Sequence, residues 1–116
     1  MYILAFILLS AVAAFGTGMG VALARHRSFP SFFGAAHGGF AAASVLFLLV
    51  TILRDVTPPT QAWWALGVFG AALAGGLTLF RLIFRGRAPT FYVIAHGALG
   101  SIGLVLLANV AFFQQA

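Results

Sequence analysis

Two short stretches concentrate the reactive side chains of this sequence. "FFGAAHGGFA" at residues 32–41 and "FYVIAHGALG" at residues 91–100 each set an Ala-His-Gly inside an otherwise apolar run. An imidazole in such a run has three uses: it hydrogen-bonds across helices, it lines a polar path, or it joins a second imidazole on one metal centre. Other chemistry is thinly supplied. Cysteine is absent, which removes disulfides and thiolate metal sites. Asp55 is the only carboxylate, so no acid/base pair, nucleophile triad or carboxylate-bearing metal centre can be assembled. Two histidines alone make a poor zinc site, and no buried acid is available to couple transport to protons. Whether the chain is an enzyme is left open.

The elements that carry these histidines are set by composition. Of 116 residues, 63% are hydrophobic, and the charged side chains are six Lys or Arg and one Asp or Glu. A soluble domain carries about 25% charged residues, so this is the composition of a membrane protein. The charges cluster at Arg25 and Arg27, at Arg54 and Asp55, and at Arg81, Arg85 and Arg87. The uncharged stretches left between them are 1–24, 28–53, 56–80 and 88–116. Each reaches the roughly 20 residues needed to cross the hydrocarbon layer. The expectation is an all-α, polytopic four-helix membrane bundle forming one domain over 1–116, with helices at about 2–24, 30–53, 60–84 and 89–113. The first run lacks a positive leader and ends in "RHR", as a retained span does and a cleaved signal does not. Pro30 suits the first turn of helix 2, and "TPPT" at 57–60 marks a turn.

The net charge of +5 belongs to the ends of spans and gives no reason to expect nucleic acid. Arginines crowd the first and third links, whereas the second is neutral, which places the first and third links in the cytoplasm and both termini outside. A multi-pass protein of a bacterial-type inner membrane is expected. Trp63, Trp64 and Tyr2 would then sit at the outer interface.

The halves resemble each other. A shift of 59 superimposes Pro30 on Pro89, Phe32 on Phe91, Ala36 on Ala95, His37 on His96, Gly38 on Gly97 and Leu48 on Leu107, and a shift of 60 pairs Arg25 with Arg85 and Arg27 with Arg87. A tandem repeat of two-helix hairpins, about 1–57 and 58–116, accounts for both. Helices 2 and 4 then run in the same direction. Each histidine stands seven residues past its proline, about 10 Å along the helix, so both imidazoles reach one layer. That is what two axial ligands of one haem iron require. Phe33, Ala41 and Ser44 share the His37 face, and Tyr92, Gly100 and Gly103 share the His96 face. The small residues leave room beside a flat ring, and Phe33 and Tyr92 can pack at its edge. Arg25, Arg27, Arg85 and Arg87 form a basic rim suited to haem propionates. His26, between two arginines, is read as a solvated surface residue. "GTGMG" at 16–20 has no phosphate-loop setting and is read as close helix packing through Gly16 and Gly20.

The helix count and the paired His37 and His96 resemble the small membrane b-type cytochromes, the cytochrome b561-like group. The resemblance implies one haem b per chain between helices 2 and 4, and electron exchange with quinol, an oxygen-derived species or another small redox partner. It departs from that group in holding two membrane histidines, enough for one haem and not two. Membrane lipid, a homodimer or a larger membrane complex are the other partners expected. The alternatives are a structural or partner-binding subunit without cofactor, and a small-solute transporter.

Overall fold

Four helices account for nearly the whole chain in the computed structural model, which describes residues 1–85 and 88–114. They are α1 (Tyr2–Ala24), α2 (Phe32–Arg54), α3 (Thr60–Gly76), continued by a π-helical segment at Leu77–Ile83, and α4 (Thr90–Phe113). Each of the four spans is long and apolar enough to cross a membrane, and the molecule is 46 Å along its longest axis, beyond the ~30 Å of hydrocarbon. The protein is an all-α, membrane-spanning four-helix bundle. The side chains turned outward are those a bilayer accepts: Ile7, Phe40, Leu53, Val105 and Phe113 are all exposed.

α1 packs on α2 and α4, and α3 packs on α2 and α4. The two histidine-bearing helices therefore lie across one diagonal, and α1 and α3 across the other. The link between α1 and α2 turns through His26, whose φ is +52°, and the link after the π segment turns through Arg85, at φ +47°. Neither is glycine, and a left-handed backbone costs a residue with a Cβ about 1–2 kcal/mol. α2 and α4 then start alike: the Phe33 amide donates to the Pro30 carbonyl at 3.0 Å and the Tyr92 amide to the Pro89 carbonyl at 3.0 Å. Both prolines stand just before the helices and not within their first turns.

The core repeats with the helices. α2 buries Ser44, Leu48, Thr51 and Ile52, and α4 buries Gly103, Leu107, Val110 and Ala111; each pair is 59 residues apart. α1 buries Tyr2, Ala5 and Leu9, matched at a distance of 60 by Ala62, Ala65 and Phe69 of α3. The two shifts differ by one residue, and the change falls between Gly76 and Arg85, the stretch that holds the π segment. In the links the left-handed residues His26 and Arg85 are equivalent at 59. Arg85 thus takes the backbone place of His26, not of Arg25 as the arginine spacing suggests. Arg87 lies outside the described residues.

Two further expectations are corrected. Helix 3 is not α-helical to residue 84: it widens into π turns directly after Gly75 and Gly76. Paired glycines resist such widening least, since they lack side chains to crowd the turn. Tyr2 is also not a lipid-facing anchor. Its side chain is buried and its hydroxyl donates to Asp55 Oδ2 at 3.0 Å. Trp63 and Trp64, by contrast, are 44% and 66% exposed, as belt residues are.

Candidate functional site

Each histidine is held by the helix that precedes it. His37 reaches from α2 onto α1 at Gly16, where an added Cβ would stand 2.7 Å from the imidazole Cε1. His96 reaches from α4 onto α3 at Gly76, where a Cβ would stand 2.9 Å from Cε1. A real Cβ so close would force the imidazole to shift, so glycine is what lets each ring rest where it does. The seats are equivalent: Gly16 and Gly76 are 60 apart, as are the core positions of the same helices. The His37 ring lies beside the backbone of Val12 and the His96 ring beside that of Ala72, which repeats the spacing of 60.

The rings meet across the diagonal. Their centroids are 6.3 Å apart and their planes are at 73°. Both are partly buried, and His37 Nδ1 is buried with no hydrogen-bond partner. A buried polar nitrogen without a partner costs roughly 1–3 kcal/mol. Aromatic rings close the flanks: Phe15 stands 6.1 Å from His37, and Phe80, carried by the π segment, stands 5.3 Å from His96 edge-on.

The other expected site residues are distributed unevenly. Phe33 joins the His37 side through Phe15, at 5.3 Å. Tyr92 packs on Phe84 at 5.1 Å and is partly exposed. Ser44 is buried, and Gly103 is buried beneath Phe69, whose ring would come within 2.8 Å of a Cβ there. The room at Gly103 is thus filled by the protein's own aromatic ring. Ala41 and Gly100 are partly buried, and a Cβ on Gly100 would meet nothing within 4 Å. Arg25, Arg27 and Arg85 are exposed at the link end of the bundle, the end toward which the histidine layer is displaced.

Gly16, Gly76, Phe15 and Phe80 were not singled out with the histidines. A signal for the glycines existed: they are the residues that the shift of 60 superimposes within "GTGMG" and "AGG". The two glycines of the G-x-x-x-G pattern serve different neighbours, since Gly20 faces Val93 of α4.

A haem between the rings can be tested against this geometry. Two imidazoles on one metal each reach it through a nitrogen about 2.0–2.1 Å away, so both rings must direct a nitrogen to one point between α2 and α4. The Gly16 and Gly76 cradles lie on the two remaining helices, where ring edges need space. The Cε1 edges presently face those glycines, so ligation requires both side chains to turn toward the midline. The donor set, two imidazoles in one layer, is the one a bis-histidine iron takes, and that rotation is the condition for using it. Among the described residues no group of three or more His, Asp or Glu side chains comes together to hold a metal ion. No family model, curated protein or solved structure matches the chain.

Proposed function

We propose that the chain is a tandem pair of helical hairpins that holds one haem b between α2 and α4, with His37 and His96 as axial ligands, and that it serves in membrane electron transfer. The observation that carries the proposal is the meeting of two partly buried imidazoles 6.3 Å apart on diagonally opposed helices. Depth brings them to one layer, and the close approach of the two rings across the diagonal is what favours a shared ligand role over two separate packing contacts. When bound, haem supplies a one-electron couple whose potential follows its axial ligands and surroundings. The chain's own residues do the rest. His37 and His96 fix the iron's position, Gly16 and Gly76 yield the volume, and Phe15 and Phe80 exclude water. Arg25, Arg27 and Arg85 stand at the nearer end of the bundle, where anionic propionates are favoured. A quinol or other small redox partner is the class of reactant such a bundle exchanges with. The proposed orientation keeps this arginine end in the cytoplasm of an inner-membrane protein.

A second assignment has its own observation. The imidazoles already sit closed on glycine seats, with each ring edge against the neighbouring helix, and a histidine so placed contributes to helix association by about 0.6–2 kcal/mol. That suits a cofactor-free subunit that packs into a larger membrane complex. Visible spectra separate the two. Protein purified in mild detergent after expression with haem supplied should show a Soret band and sharp reduced α and β bands at one haem per chain. A colourless, monodisperse, helical protein would leave the subunit assignment standing and remove the haem.

A further inference from the structure

We infer that the end of the bundle bearing the chain termini holds a binding site for one phospholipid with a primary-ammonium headgroup, phosphatidylethanolamine in kind. It does not depend on the haem proposal. A cavity of about 490 Å³ opens there between α1, the end of α2 and the end of α4, within the range of small-ligand sites.

One stripe of α2 lines it. Phe47 and Thr51 stand one turn apart on the helix, and Asp55, four residues further, is the extended residue that ends it, with Arg54 beside it. The order from the bundle's middle outward is apolar ring, hydroxyl, then carboxylate and guanidinium. A glycerophospholipid has the same order: acyl chain, ester carbonyl, then phosphate and ammonium.

Thr51 carries the inference. It is 5% exposed, and its Oγ1 is buried with no hydrogen-bond partner. Two exposed helical hydroxyls bond back one turn: Thr17 Oγ1 donates to the Ala13 carbonyl at 2.8 Å and Ser101 Oγ to the Gly97 carbonyl at 2.9 Å. Thr51 does not. Packing does not demand the hydroxyl either, because Val110 holds the equivalent place in α4 and is fully buried. The same shift of 59 turns Arg54 into Phe113 and Asp55 into the neutral Gln114, so the hydroxyl and the two charges belong to one hairpin alone. Thr51 lines the cavity, and an ester carbonyl entering there would supply the missing acceptor once the hydroxyl, now sealed from solvent, turns toward it.

The rim selects the headgroup. Asp55 accepts once at each oxygen, from Tyr2 at Oδ2 and from the Thr57 amide at Oδ1, both at 3.0 Å, which leaves about two of its roughly four lone-pair sites free. A primary ammonium donates to these sites. A quaternary choline cannot, and a neutral glycerol headgroup brings no charge to match. Exposed Arg54 faces the phosphate.

Native mass spectrometry of the full chain tests this after reconstitution in bilayers holding phosphatidylethanolamine, phosphatidylcholine and phosphatidylglycerol in equal amounts. One retained phosphatidylethanolamine per chain is expected, about fivefold over either competitor. Asp55→Asn should abolish the preference over phosphatidylcholine. Thr51→Val should weaken retention of every lipid by about threefold to tenfold, the range of one hydrogen bond, with helix content unchanged. Thr51→Ser should bind as the parent does. Equal retention of phosphatidylcholine, or unchanged retention in Thr51→Val, overturns the inference. Competition by free phosphoethanolamine at lipid-like concentration also overturns it, since the apolar part of the stripe would then contribute nothing.

Discussion

The two hairpins share a middle and differ at their ends. In both, a histidine of the second helix is seated on a glycine of the first, and every buried position of α2 has a buried counterpart in α4. Side chains fill those positions differently. Where the first hairpin has Leu9 and Ser44, the second has Phe69 and Gly103, a larger ring on a smaller partner. Toward the termini, Tyr2 is tied to the carboxylate of Asp55, whereas the second hairpin links the neutral Gln61 and Gln114 at 3.0 Å; both ties span 53 residues. Toward the links, α1 remains α-helical while the second hairpin runs through π turns. The shared layout thus runs through the core and the glycine seats, while divergence appears at the ends and also beside His96, where the π segment brings Phe80 to a ring whose counterpart His37 meets Phe15 of α1. A site that needs both halves constrains them alike, and the ends are left to acquire separate tasks.

The contrast is broken most strongly at Gly103. Gly103→Val should destabilise the bundle by about 1–3 kcal/mol through overpacking against Phe69, while Ser44→Val at the equivalent position should cost less; thermal unfolding in detergent, followed by circular dichroism, checks the pair. Converting the second hairpin toward the first sharpens the same point. Phe69→Leu with Gly103→Ser should be more stable than Gly103→Ser alone, with a coupling of about 0.5–3 kcal/mol in a double-mutant cycle. Additive effects would show that the two positions do not share one packing volume.

At the middle layer the hairpins should respond alike. Gly16→Ala and Gly76→Ala each place a Cβ under 3 Å from an imidazole, and each should shift the apparent melting temperature downward by a similar amount, on the order of 1–3 kcal/mol in stability. A large effect at one glycine only would break the equivalence of the seats. The smallest difference is expected at the terminal ties. Tyr2→Phe should cost about 1 kcal/mol, because it removes a hydrogen bond to a charged group. Gln114→Ala, on the exposed tie, should stay within about 0.5 kcal/mol.

Much of the scaffold was legible before any coordinates. Charge clusters and prolines locate each span end to within about two residues, because a charge inside the hydrocarbon is costly and proline breaks helix pairing. The repeat places His37 and His96 at one depth for the same reason. Rotation was not legible. All four helices are apolar nearly all round, so no polar face records which side turns inward. That is why Gly16 passed as a general packing residue and why Phe69, at a position where the first hairpin has leucine, gave no sign of occupying Gly103. The burial of Tyr2 was hidden by the same means: its partner Asp55 lies 53 residues away, and no local pattern joins them. The π segment comes directly after a pair of glycines, the second of which seats His96, and that contact is also not written in the local sequence.

The most direct test compares haem content and reduced-minus-oxidised spectra of the parent, His37→Ala and His96→Ala, purified side by side with haem supplied during expression. One haem per chain in the parent, with both variants losing the six-coordinate spectrum to the same extent, is the result expected of a single site shared by the two hairpins. A colourless parent that is folded and helical, or a spectrum that survives either substitution, would contradict it.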